Sequence, residues 1–122
     1  MPVITLDEAP PGARVIVCGG TGYFDRDRMF EVLDLLRPSE IANGAAPGAD
    51  SLSTDWAVSR GVPFRLYRAH WKWGGRATGA FRNQHMFNSF RPDGIVAAPG
   101  GRGTRNMEII GLEGGVWVAR FS

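Results

Sequence analysis

The chain is short of the residues from which structural staples and most catalytic centres are built. Its one cysteine, Cys18, excludes an internal disulfide and a cysteine-based zinc site. Cys18 ends an apolar segment and reads as a small buried side chain rather than a reactive thiol. Two histidines, His70 and His85, form no metal or catalytic pair by spacing, and no metal or other cofactor is expected. The single lysine, Lys72, stands in no Walker pattern, and neither a Ser-His-Asp set nor a His-Glu-x-x-His motif is present. No apolar run approaches the roughly 20 residues of a membrane helix. The N-terminus lacks the charged region and apolar core of a signal peptide. These absences point to a cytoplasmic protein with no membrane partner.

What is present is glycine, arginine and a moderate apolar content. A length of 122 residues suits one domain, and 43% hydrophobic residues with mixed charges argue for a folded core. The 17 glycines are about twice the usual share, and most fall at predicted strand ends. A net charge of +2 does not by itself imply nucleic acid. Every basic residue other than Lys72 is an arginine. Codon bias accounts for the ratio, but an arginine beside a glycine loop is also the better bidentate partner for phosphate.

Along the chain, residues 1–13 read as a lead-in and residues 14–122 as the domain. Arg14 to Cys18 is a continuous apolar strand of the kind buried on both faces of a parallel sheet. A helix follows from Asp25 to Leu36, with Met29, Phe30, Leu33 and Leu36 inward and Asp25, Asp27, Glu31 and Asp34 reading as a solvated face. Glu40 to Asn43 is a second strand, Ser51 to Ser59 a second helix, and Phe64 to Tyr67 a third strand that alternates as an edge strand would. After an irregular stretch from Arg68 to Thr78 come a helix over Gly79 to Phe90, a strand over Asp93 to Ala98, a short helix over Asn106 to Leu112 and a strand over Val116 to Ala119. This alternation predicts an α/β domain in three layers, about five parallel strands with helices on both faces.

Three strands end in glycine loops: Gly19-Gly20-Thr21-Gly22-Tyr23, Gly44 to Asp50, and Pro99-Gly100-Gly101-Arg102-Gly103-Thr104. In parallel sheets ligands sit outside the carboxyl ends of the strands, near the point where strand order reverses. Glycines there let the main chain approach a phosphate, and a helix N-terminus adds a favourable dipole. The first loop suits a phosphate or ribose with Tyr23 as shield, and equally a tight turn needing glycine. Asp50 suits both an N-cap and a ribose hydroxyl partner. In the stretch from Trp71 to Asn83, Trp71 and Trp73 can stack on a base or plug the core. Arg76 and Arg82 can clamp a phosphate, with Asn83 beside them at the same sheet edge.

The ordered set from Val15 to Gly20, Gly44 to Asp50, Trp56-Ala57, Arg60 to Pro63, Gly75-Arg76-Ala77, Arg82-Asn83, Met86 and Pro92 to Thr104 closely resembles the SLOG superfamily. Its nearest branch is the small YspA-type bacterial and phage proteins, and the resemblance runs from Arg14 to Ala119. It implies a Rossmann-like fold that binds or processes nucleotide-derived ligands. Relatives of that superfamily include the lonely-guy phosphoribohydrolases, which cleave a nucleoside monophosphate, and the DNA-processing protein A group. The lonely-guy pattern is Pro-Gly-Gly-x-Gly-Thr-x-x-Glu with a catalytic final acid. Here that position is Met107. Glu108 is one residue on, about 100° round a helix of 3.6 residues per turn. The matching arginine is Arg82, and the second loop reads Asn43-Gly44-Ala45-Ala46 in place of the branch's His-Gly-Gly-Ala.

The expectation is therefore a sensor or sequestering protein for a nucleotide-derived small molecule. Phosphate rests on Pro99, Gly100, Gly101, Gly103 and Thr104 with Arg76, Arg82, Asn83 or Arg102, while Gly19, Gly20 and Tyr23 meet ribose or base and Asp50 a hydroxyl. The alternative is an N-glycosidic hydrolase with Asp50 or Glu108 as acid. Nucleic-acid binding in the manner of DNA-processing protein A ranks third, with nucleic acid not the expected partner. A homo-oligomer is expected by analogy and from the aromatic surface of Phe81, Phe87 and Phe90.

Overall fold

The computed structural model describes residues 3–70 and 77–122. Trp71, Trp73 and Arg76 lie outside the described residues. The elements in chain order are β1 (Val3–Ile4), a 3-10 turn (Leu6–Glu8), β2 (Arg14–Cys18), α1 (Arg26–Leu36), β3 (Glu40–Asn43), α2 (Ala49–Arg60) and β4 (Phe64–Leu66). Then follow α3 (Ala77–Phe90), β5 (Gly94–Ala97), α4 (Arg102–Glu113) and β6 (Trp117–Arg120). Among the described residues the strands form one all-parallel sheet in the order β1-β6-β5-β2-β3-β4.

The sheet has six strands rather than about five. The extra one comes from the lead-in: Val3 and Ile4 pair with Val118 and Ala119. Two residues after Pro2 carry too little periodicity to be read as a strand; β6 supplies the pairing edge that makes them one. At the opposite edge lies β4, the edge strand that its alternation predicted, though all three of its residues are exposed instead of one face being buried.

Why the sheet is covered on both faces follows from the period-2 geometry of its central strands. Val15, Val17, Ile41 and Val96 point to the face carrying α1 and α2, where they meet Met29, Val32, Leu33 and Trp56. Ile16, Cys18, Ala42, Ile95 and Ala97 point to the face carrying α3 and α4, where they meet Met86, Phe90, Met107 and Ile110. The central residues Val15, Ile16, Val17, Ile95 and Val96 are essentially inaccessible.

Helix boundaries are set by local chemistry. The Asp25 carboxylate caps α1 by accepting from Arg28 N at 3.0 Å, and Arg37 ends it in the left-handed region ahead of Pro38. Asp34 is tied down rather than merely solvated. It accepts from Trp56 Nε1 at 2.8 Å and from Arg60, first the Arg60 and then the Trp56 bond holding its carboxyl down at about 2. α2 begins at Ala49 and α4 at Arg102, both earlier than the sequence pattern suggested. Glycine lowers helix propensity by about 1 kcal/mol, so Gly103 obscured the first turn of α4. The buried series Thr104, Met107, Ile110 and Gly111 nevertheless carries helical spacing from its start. On α3, Phe90 is buried and Phe87 packs against the same core, while Phe81 is 75% exposed. Among the described residues no helix is long and apolar enough to cross a membrane.

Candidate functional site

The chain leaves β2 toward α1 on one face and leaves β5 toward α4 on the other. The two neighbouring strands therefore part company at their carboxyl ends and open a crevice. Three loops line it and are bonded to one another. Gly20 N donates to Pro99 O at 2.8 Å, and Gly20 O accepts from Ala49 N at 3.1 Å and Tyr23 N at 3.2 Å. A methyl group on Gly100 would collide with Thr104 Oγ1 and lie 2.7 Å from Gly20 N, so only glycine lets the β5 loop fold down onto its own helix.

Gly101 is the N-cap of α4 and supplies no side-chain acceptor. The helix's own bonding begins with Arg105 N to Gly101 O at 3.0 Å. Arg102, Gly103 and Thr104 line the cavity, and the first-turn N–H groups of their helix have no side-chain cap, the arrangement that favours an anion. The cavity holds about 310 Å³. Its floor is apolar, from Cys18, Met86 and Met107, and its rim is glycine backbone with Asp50, Arg82 and Asn83.

Four polar side chains organise the rim. Asn43 is fully buried at the end of β3. Its amide donates to Asp50 O, Ser53 Oγ and Thr54 Oγ1 at 2.9–3.0 Å, and its Oδ1 accepts from Ala45 N at 2.9 Å. That ties the loop to the first turn of α2. Asp50 is not the N-cap of α2; Gly48 is, and Asp50 stands inside the first turn. Its Oδ2 instead accepts from the preceding loop, from Gly44 N at 3.0 Å and Ala46 N at 3.2 Å. Burial pushes the Asp50 carboxyl up to about 6 against the opposing pull of these N–H groups and of Arg82. Arg82 Nη1 donates to Gly44 O at 2.8 Å and Tyr67 O at 3.1 Å, and its Nε donates to Asn83 Oδ1 at 2.9 Å. Burial lowers the Arg82 guanidinium from its ordinary value, with Asp50 opposing. Asn83 donates to Asn106 Oδ1 at 2.9 Å and Gly103 O at 3.3 Å, which joins α3 to the start of α4.

The structure brings Gly19, Gly20, Asp50, Arg82, Asn83, Gly101, Arg102, Gly103 and Thr104 together around this cavity. Pro99 and Gly100 face a neighbouring cavity on the far side of the β5 loop. Tyr23 lines neither: its ring packs edge-on against Phe121 at 6.0 Å, with its hydroxyl buried and without a hydrogen-bond partner among the described residues. Glu108 also faces the neighbouring cavity, where it accepts from Arg120 Nε at 2.7 Å, while Met107 sits on the cradle floor. The 100° turn between the two positions separates them as the helix geometry requires. Cys18 is in the floor, and burial, reinforced by the Asp50 and Glu108 charges, raises its thiol well above the ordinary range. It is a neutral wall. Sequence reasoning gave no functional role to Asn43, Cys18, Met86 or Met107. The signal for Asn43 was its place directly before a glycine turn, where an Asn side chain substitutes for a backbone turn. Among the described residues no three His, Cys, Asp or Glu side chains gather to hold a metal.

Comparison with known proteins agrees with this geometry at the level of family. No solved structure matches the chain. A curated relative, the Gene 61 protein of Mycobacterium phage D29, is 32% identical across 88% of this chain and 95% of its own length. Residues 13–74, which carry the first two glycine loops, match the family described as YspA, cpYpsA-related SLOG. The chain belongs to that SLOG family.

Proposed function

We propose that the protein binds a nucleotide or nucleotide-derived ligand at the carboxyl ends of β2, β3 and β5, as a sensor or a sequestering protein. The observation that carries this reading is the uncapped first turn of α4, closed in by three interbonded glycine loops and faced by Arg82. Unsatisfied N–H groups, a helix dipole and a guanidinium favour one dianionic group at one place. Asp50 would repel that group, so the phosphate lies toward α4. The sugar then lies between the two, with a hydroxyl donating to the Asp50 carboxylate. Native mass spectrometry of the freshly purified protein, followed by denaturing release, tests the reading. A co-purified nucleotide, or retention of one from a panel, is expected; an empty protein that ignores the panel contradicts it.

A second reading, cleavage of an N-glycosidic bond, is favoured by one specific observation. Asp50 is a buried carboxyl facing the cavity with its proton affinity raised toward neutrality, as a general acid needs. Release of base and ribose 5-phosphate from a nucleoside monophosphate, abolished in Asp50→Asn, would support it.

A further inference from the structure

We infer that a second cavity, on the other side of Arg82 from the glycine cradle, seats the nucleobase of the ligand. This rests on the phosphate reading above and adds where the ring goes. The cavity holds about 430 Å³ between the end of β4 and the first turns of α3, within the range of small-molecule sites. Its walls include Tyr67, Ala69, Thr78, Phe81 and His85, and Arg82 is the one described residue it shares with the cradle.

Three observations point to an aromatic occupant. First, the described residues lining the cradle include no aromatic side chain, and Tyr23 is engaged with Phe121 instead. A base gains most from stacking on aromatic faces, and among the described residues the cavity next to the cradle presents Tyr67, His70, Phe81 and His85.

Second, that wall is held in place before any ligand arrives. The Tyr67 hydroxyl and Ser89 Oγ are 3.1 Å apart, its ring meets His85 edge-on at 5.8 Å, and its carbonyl accepts from Arg82. One turn before His85 on α3, Phe81 lines the same cavity and is 75% exposed, while the helix's other phenylalanines pack into the core. A face already fixed and an uncovered ring beside it offer stacking surface at little ordering cost.

Third, the described lining contains no carboxylate and includes Arg68 and Arg82, so its polar groups are mainly donors. With the Thr78 hydroxyl and the ring nitrogens of His70 and His85 they suit the acceptor-rich edge of a base. Arg82, anchored on Gly44 O and Tyr67 O, spans the two cavities. One cation thereby serves the phosphate on one side and a ring face on the other.

Calorimetric titration of ribose 5-phosphate and of adenosine 5′-monophosphate against the native protein and Phe81→Ala tests this. Phe81 is exposed, so its loss leaves the fold intact. The native protein should bind the nucleotide about tenfold or more tighter than the sugar phosphate, and Phe81→Ala should erase that margin while leaving ribose 5-phosphate unchanged. In the native complex, Phe81 ring protons should show nuclear Overhauser contacts to the base protons. Equal affinities, or a margin that survives Phe81→Ala, overturns the base seat and leaves the cradle standing. A drop in molar mass by light scattering for Phe81→Ala, with the margin intact, assigns the ring to a second copy of the chain and also overturns it. Silence from both probes overturns the phosphate reading, and the base seat with it.

Discussion

Asp50 and Arg82 hold the same residue by its two ends: Gly44 gives its N–H to the Asp50 carboxylate at 3.0 Å and takes an Arg82 N–H on its carbonyl at 2.8 Å. The two side chains, one from α2 and one from α3, thereby lock a β3 loop into the wall of the glycine-lined cavity. A buried acid and a half-buried cation are each costly alone, and here each is partly compensated by backbone dipoles and by the other.

A methyl group at position 44 would run into the Arg82 guanidinium. Gly44→Ala should therefore displace Arg82, lower stability by about 2 kcal/mol and weaken inorganic phosphate binding together. Denaturant unfolding and phosphate titration of the same sample check this. A stable variant with native phosphate affinity would contradict the proposed role of the pair.

The folded Asp50 carboxyl titrates near 6, above its ordinary 3.8. A raised value means the folded state binds the proton more tightly. The contribution to stability is then full below about pH 4 and is lost as pH rises through about 6. The difference corresponds to about 3 kcal/mol at 1.36 kcal/mol per unit. Asp50→Asn cannot ionise, so its stability relative to the native protein should rise between pH 4 and pH 7. A difference that stays flat across that window would show that Asp50 is not perturbed by burial.

Adjacent glycines of the β5 loop should respond oppositely. Gly100→Ala forces a methyl onto Thr104 and the Gly20 backbone and should cost about 2–4 kcal/mol. Gly101→Ala meets nothing within 4 Å and should change stability by less than about 1 kcal/mol. Thermal unfolding of the two variants side by side decides it; equal losses would mean the loop is not packed as described.

Glu108 lies across α4 from the cradle, its largely buried carboxylate paired with the half-exposed Arg120. Glu108→Gln should cost no more than about 1 kcal/mol and leave nucleotide binding unchanged. Any hydrolysis of a nucleoside monophosphate should likewise survive Glu108→Gln and fail in Asp50→Asn. Loss of turnover in Glu108→Gln would move the acid to the neighbouring cavity.

Much of this arrangement is legible in the sequence because its causes are local. Val15 to Val17 form an unbroken apolar run, which marks a strand buried on both faces, and the glycine loops mark its ligand-binding end. The third loop's helix was partly hidden because Gly103, in its first turn, has poor helix propensity. The sheet's sixth strand was not legible, since Val3 and Ile4 become a strand only through pairing with β6. Side-chain direction was the other blind spot. Tyr23 sits in a glycine loop, yet its ring follows α1 to Phe121; Asp50 sits at a helix start, yet its carboxylate turns back to Gly44. Both depend on residues far along the chain or folded back on it, which spacing alone does not encode.

The central claim is that a nucleotide phosphate rests on the uncapped first turn of α4. A ¹H–¹⁵N correlation spectrum followed through a titration with adenosine 5′-monophosphate addresses it residue by residue. The backbone amides of Arg102, Gly103 and Thr104 should shift furthest, with Gly19 and Gly20 moving in the same concentration range. Saturable shifts confined to other parts of the sheet, or no shifts at millimolar nucleotide, would contradict it.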